Sequence, residues 1–140
     1  MKPKKMVIHI LGNRDDIKKL TNRSRFIHLT FRPSNMDILN IINTCTKLEF
    51  IELSQSHIKS LSATTKTIFK QNNIKIIEGD MWGRRNDIHD DITISQDEMI
   101  EICKMVNQNQ PKDHISEYIR SIEPSFKQNL IDYIIERCSM

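Results

Sequence analysis

Four short apolar runs stand out in the first eighty residues: MVIHIL (6–11), FIHLTF (26–31), LEFIEL (48–53) and IKIIEG (74–79). Each is rich in Ile, Leu or Phe and has the length of a strand. The segments between them carry helix-start signals. Asn13 can cap one helix, with Asp16 three residues later, and Ser34 a second, with Asp37 three residues later. In both, the carboxylate sits where exposed N–H groups favour negative charge. Ile38, Leu39, Ile41 and Ile42 then give the second helix its apolar stripe. Ser60 or Ser62 can open a third helix through Ile68 and Phe69, which Asn72-Asn73 would end. The order is β-α-β-α-β-α-β, with connections long enough for parallel crossovers.

This pattern predicts an α/β fold with a small, mostly parallel four-stranded sheet built from repeat-like β-α units. The strands recur at intervals of roughly 19–26 residues, within the range of a leucine-rich-repeat solenoid, and LEFIELSQSHIKSLS resembles one such repeat. Beyond residue 91 the pattern becomes helical. Ser95-Gln-Asp-Glu98 is a capping box ahead of Met99, Ile100, Ile102, Cys103 and Val106. A short helix is expected around 114–121. Pro124 fits the first turn of a last one, with Phe126, Leu130, Ile131, Ile134 and Ile135 facing inward. The chain thus divides into a parallel α/β core with a basic rim at 1–91 and a C-terminal helical cap or subdomain at 92–140.

Composition narrows the classes. With 140 residues and 38% apolar content, the chain fits one compact domain or a main domain with a helical addition. The net charge of +3 is unevenly spread. Residues 1–80 carry fourteen Lys/Arg against seven Asp/Glu, and residues 81–140 seven against eleven. A basic face on the first part follows, which permits nucleic-acid binding without demanding it. No stretch reads as a secretory signal or approaches the ~20 residues of a membrane span, so no membrane partner and a cytoplasmic location are expected. Cys45, Cys103 and Cys138 are far apart and odd in number, and are expected as reduced, mostly buried thiols.

If the four strands are parallel, the segments after their carboxyl ends fall on one rim, where ligands of α/β sheets bind. Those segments bring Arg14, Arg32, Ser34, Ser54, Ser56, His57, Asp80, Trp82, Arg84 and Arg85. The four arginines can form an anion-binding set through their planar two-donor forks. They can equally be satisfied by nearby acids, Arg14 by Asp15 or Asp16 and Arg84 by Asp80 or Asp87. Trp82, between Gly79 and Gly83, either closes the end of the sheet or anchors a partner or base. Asp80 and His89 are the candidate bases. D-x-H-D-D at 87–91 is dense enough to consider for a metal, but acidic loops outnumber metal loops. His9 and His28 lie within strands and read as packed residues. There is no Walker A loop, GxGxxG, HExxH or nucleophile elbow. No catalytic residue, metal or cofactor is therefore assigned.

FIHLTFRPSNMDILNII, LEFIELSQSHIKSLS and IIEGDMWGRRNDIHDDITIS together resemble a small archaeal family of uncharacterised proteins, a domain of unknown function, over residues 6–95. Arg32-Pro33-Ser34 and Gly79-Asp80-x-Trp82-Gly83-x-Arg85-x-Asp87-Ile88 carry the match most clearly. The resemblance implies an archaeal, intracellular origin and supplies no activity, cofactor or catalytic residue.

Two functions stay open. The first is an interaction module that binds nucleic acid or a protein partner through Arg14, Arg32, Ser34, Asp80, Trp82, Arg84, Arg85 and Asp87, with the helical face free to form a homodimer. The second is an enzyme or sensor that takes a small anion, with Asp80 or His89 beside the arginine cluster.

Overall fold

The computed structural model describes residues 3–80 and 91–139. Among these, β1 (Met6–Leu11), β2 (Phe26–Leu29), β3 (Phe50–Leu53), β4 (Lys75–Glu78) and β5 (Ile92–Ile94) form one sheet in the order β4-β3-β2-β1-β5. The first four are parallel neighbours in chain order. β5 runs antiparallel to β1, pairing Met6 with Ile94 and Ile8 with Ile92.

The expected four-stranded, mostly parallel, repeat-like sheet is thereby corrected: the sheet has five strands and is mixed. A short alternating Ile-Thr-Ile segment completes the β1 edge, which four parallel strands would have left open.

The leucine-rich-repeat comparison also fails, for a reason of layering. Right-handed crossovers that step in one direction along a sheet place their helices on the same face. Here a 3₁₀ helix (Arg14–Lys19), α1 (Asn35–Thr44) and α3 (Ala63–Gln71) all cover one face. They pack Ile17, Ile38, Ile41 and Phe69 against Leu11, Ile27, Leu29, Ile51 and Leu53. A solenoid would leave the other face open. Instead α4 (Gln96–Asn107), α5 (Lys112–Ile122) and α6 (Gln128–Cys138) close over it, burying Met6, Ile8, Ile10, Phe26, Phe50, Ile77, Ile92 and Ile94. The result is helix, sheet, helix.

Local chemistry sets the helix starts. Ser34 caps α1: its hydroxyl accepts from the Asp37 N–H at 3.1 Å, and Asp37 returns a bond to the Ser34 N–H at 2.8 Å. Ser95 and Glu98 do the same for α4. Each such cap is worth about 1 kcal/mol. The segment after Asn13 is a 3₁₀ turn, its Asp16 accepting from the N–H groups of Gly12 and Asn13. Ser62 opens α3, while Ser54 opens an additional short helix, α2 (Gln55–Lys59). Asn73 ends the α3 turn at φ 57°, a conformation asparagine tolerates better than most residues. The last helix starts four residues beyond Pro124, because Ser125 instead turns back on Glu123 through two hydrogen bonds.

The cysteines depart from expectation. Cys103 and Cys138 form a disulfide with Cα atoms 5.0 Å apart, joining α4 to the end of α6. Their pairing follows from how these helices lie on the sheet, which spacing along the chain does not reveal. Cys45 is free and buried, and burial pushes its thiol up to about 11 against a hydrogen bond with Ser24.

Candidate functional site

The two central strands share a pattern, FIHL in β2 and FIEL in β3. Their register aligns Phe26 with Phe50, Ile27 with Ile51, and His28 with Glu52. Side chains alternate across a sheet, so His28 and Glu52 point to the same face as the two phenylalanines, one step nearer the carboxyl edge. There His28 Nδ1 lies 2.6 Å from Glu52 Oε1, with both side chains only 3% exposed. With Glu52 ionised, this contact is an Nδ1–H donating to a carboxylate. It fixes the ring's orientation, and in the neutral ring Nε2 then holds the lone pair.

The rest of the Glu52 carboxylate lies against Gly79. A Cβ added at that glycine would overlap the carboxylate and meet Cδ at 2.8 Å. Gly79 itself donates its N–H to the Leu53 carbonyl at 2.9 Å, continuing the ladder beyond β4. A side chain at position 79 would therefore displace the Glu52 carboxylate from its place beside His28.

His57, on α2 just past β3, joins the same corner. Its Nδ1 is buried with no hydrogen-bond partner. Burial holds the ring below the usual histidine range, and the neighbouring Arg32 guanidinium acts in the same direction, as does the His28 ring whenever it carries a proton. An unsatisfied buried ring nitrogen costs about 1–3 kcal/mol; a hydrogen bond from that nitrogen to a ligand oxygen, in the tautomer that protonates Nδ1, would remove that penalty.

Arg32 is exposed between β2 and α1. Arg14 is otherwise engaged: its Nε lies 2.8 and 2.9 Å from the two oxygens of Asp37. Burial pushes the Asp37 carboxyl up, but the Ser34 N–H, Arg14 and the Ser34 hydroxyl outweigh it and hold it below the usual range. Neither Asp15 nor Asp16 is the partner of Arg14, as sequence proximity suggested. Ser34 serves as the cap of α1. Asp80 lies at the β4 exit, 3.5 Å from Lys127, and Asn129 at the start of α6 donates to the Glu78 carbonyl.

Trp82, Arg84, Arg85, Asp87 and His89 lie outside the described residues. Of the acidic run at 87–91, Asp91 pairs with His9 at 3.0 Å in an exposed contact. Among the described residues no group of three His, Cys, Asp or Glu side chains is placed to hold a metal ion, and no helix is long and apolar enough to cross a membrane.

Sequence reasoning passed over His28 and did not single out Glu52. The available signal was a polar residue at the third position of two otherwise apolar strand runs, FIHL and FIEL. In a sheet covered on both faces, such residues must meet a partner.

Residues 7–90 match the N-terminal domain of a family of unknown function, DUF1699. The chain belongs to this family. The match spans β1 to β4 and with them His28, Glu52, His57 and Gly79. β5 and α4–α6 lie beyond it. No curated protein and no solved structure matches the chain.

Proposed function

We propose that this DUF1699 member binds a small anionic ligand, a carboxylate or phosphate, at the carboxyl edge of β2 and β3, where the His28–Glu52 pair accepts or returns a proton. The observation that supports this most is the 2.6 Å His28–Glu52 contact between fully buried side chains on adjacent strands. A buried polar pair contributes little net stability compared with well-packed apolar residues, so packing alone is a weak reason for it. In this reading Arg32 attracts the ligand, His57 Nδ1 supplies a second ring nitrogen, and His28 Nε2 acts as base.

The test is thermal unfolding of the full chain with inorganic phosphate, malonate and succinate. Binding raises the unfolding temperature, since a ligand at 100 times its Kd adds about 2.7 kcal/mol, and Arg32→Glu abolishes the rise. If all three probes leave the midpoint unchanged, or Arg32→Glu responds as the parent does, the reading fails.

A partner-binding rim keeps one observation in its favour: Arg32 is exposed, and so is Met36, four residues on at the start of α1, at 63%. It is preferred if Met36→Lys weakens a purified partner's binding while the small anions do nothing. An archaeal source and a cytoplasmic setting belong to this proposal too. They accommodate the disulfide, because intracellular proteins of hyperthermophilic archaea are an exception to the rule of reduced cytosolic thiols.

A further inference from the structure

At the opposite, amino-terminal edge of the sheet a groove of about 890 Å³ opens between α4, the end of α6 and the segment before β1. Its size suits a small organic ligand. The floor is apolar: Met99, Ile100 and the Cys103–Cys138 disulfide. Among the described residues four cations line it, Lys4, Arg25, Lys104 and Arg137, and no acidic side chain does.

These cations differ in availability. Arg137 donates to Glu49 at 2.6 Å and stacks over the Phe26 ring, and Arg25 lies 3.6 Å from the other Glu49 oxygen. Glu49 thus offsets part of their charge from behind the groove. Lys4 and Lys104 are exposed and form no ion pair among the described residues. The segment carrying Lys4 is tied to α4, with Gln96 donating to the Pro3 carbonyl at 3.2 Å. Two ammonium groups without an ion-pair partner among the described residues, above an apolar floor, match a molecule with one anionic end and one apolar end.

We propose that this groove binds an anionic amphiphile, with its apolar chain along Met99, Ile100 and the disulfide and its carboxylate or phosphate between Lys4 and Lys104. The site is separate from the carboxyl-edge pair and does not depend on it.

Decanoate and decyl phosphate are the probes, decanol and inorganic phosphate the controls. Isothermal titration measures affinity, and methyl NMR of Met99 and Ile100 reports location. Decanoate or decyl phosphate is expected to bind at least about tenfold more tightly than decanol, which corresponds to about 1.4 kcal/mol, and to shift both methyl groups. Inorganic phosphate alone leaves those methyls unmoved. Lys4→Glu and Lys104→Glu, both at exposed positions, each weaken the anionic probes by about tenfold and leave decanol unchanged. Stronger binding of only one anionic probe identifies the headgroup and supports the site. Equal affinity for decanol, insensitivity to both lysine substitutions, or shifts confined to other methyls would overturn it.

Discussion

The two ends of the sheet handle charge in opposite ways. At the carboxyl edge three polar contacts turn inward: Glu52 holds His28, Asp37 holds Arg14, and the Ser34 hydroxyl closes the cap of α1. At the amino edge Arg25 and Arg137 share Glu49, while Lys4 and Lys104 stand over an apolar floor without counter-charges among the described residues. The first arrangement fixes side chains against one another between adjacent strands, which the proposed ligand-binding role needs. The second supplies attraction with little geometric constraint, suited to a ligand recognised by charge and apolar length.

Breaking either end has a size that geometry sets. The largest effect is expected at the amino edge. The disulfide closes a segment of 35 residues between α4 and α6, and such a loop contributes about 4 kcal/mol through the unfolded chain. Urea unfolding of the Cys103→Ser/Cys138→Ser chain should show a loss of that order, and a reductant should reproduce it in the parent. Identical midpoints with and without reductant would remove the disulfide from the stability of the helical layer.

At the carboxyl edge, His28→Leu leaves the Glu52 carboxylate buried without its partner. A loss of about 3 kcal/mol is expected. The double substitution His28→Leu/Glu52→Leu should recover part of it, since the pair acts as a unit. Simple additivity of the two single losses would show that the contact is incidental.

Gly79→Ala comes next. The added methyl overlaps the Glu52 carboxylate, and overpacking of this kind costs about 2 kcal/mol. The His28 ring resonances should move with it. An alanine chain with parental stability and unmoved His28 signals would separate Gly79 from the pair.

The smallest effect is a pH dependence. The folded His57 ring takes a proton less readily than the unfolded chain's histidine, mainly because it is buried. Its contribution to stability is therefore present above pH about 6.5 and is lost as pH falls below that value. The melting temperature should drop between pH 7.5 and 5.5 by more in the parent than in His57→Gln. An equal drop would assign the effect to other histidines.

The parts of this structure that were legible in the sequence are those fixed by local chemistry. β1 to β4 announce themselves as apolar runs, and Ser34 and Ser95 as caps, because burial, on both faces in β2 and β3, and exposed N–H groups impose those residues directly. β5 escaped because three residues carry too little pattern to separate a strand from a linker. The Cys103–Cys138 bond escaped because it depends on how α4 and α6 lie across the sheet. His28 reads in the sequence as a packed strand residue; its partner Glu52 lies 24 positions away and is adjacent only through the strand register. Of the expected rim, Arg14 is bound to Asp37 and Ser34 to its cap, while Arg32 remains exposed.

The central claim is that the buried His28–Glu52 pair serves a ligand. Nitrogen-15 NMR of the histidine rings during a titration with inorganic phosphate, malonate or succinate tests it most directly. Ligand binding at the pair gives saturable shifts at His28 and His57 that vanish in Glu52→Gln, while exposed His114 stays still. If His28 and His57 remain unmoved through the titration, or move only as His114 does, the pair is structural and the claim is contradicted.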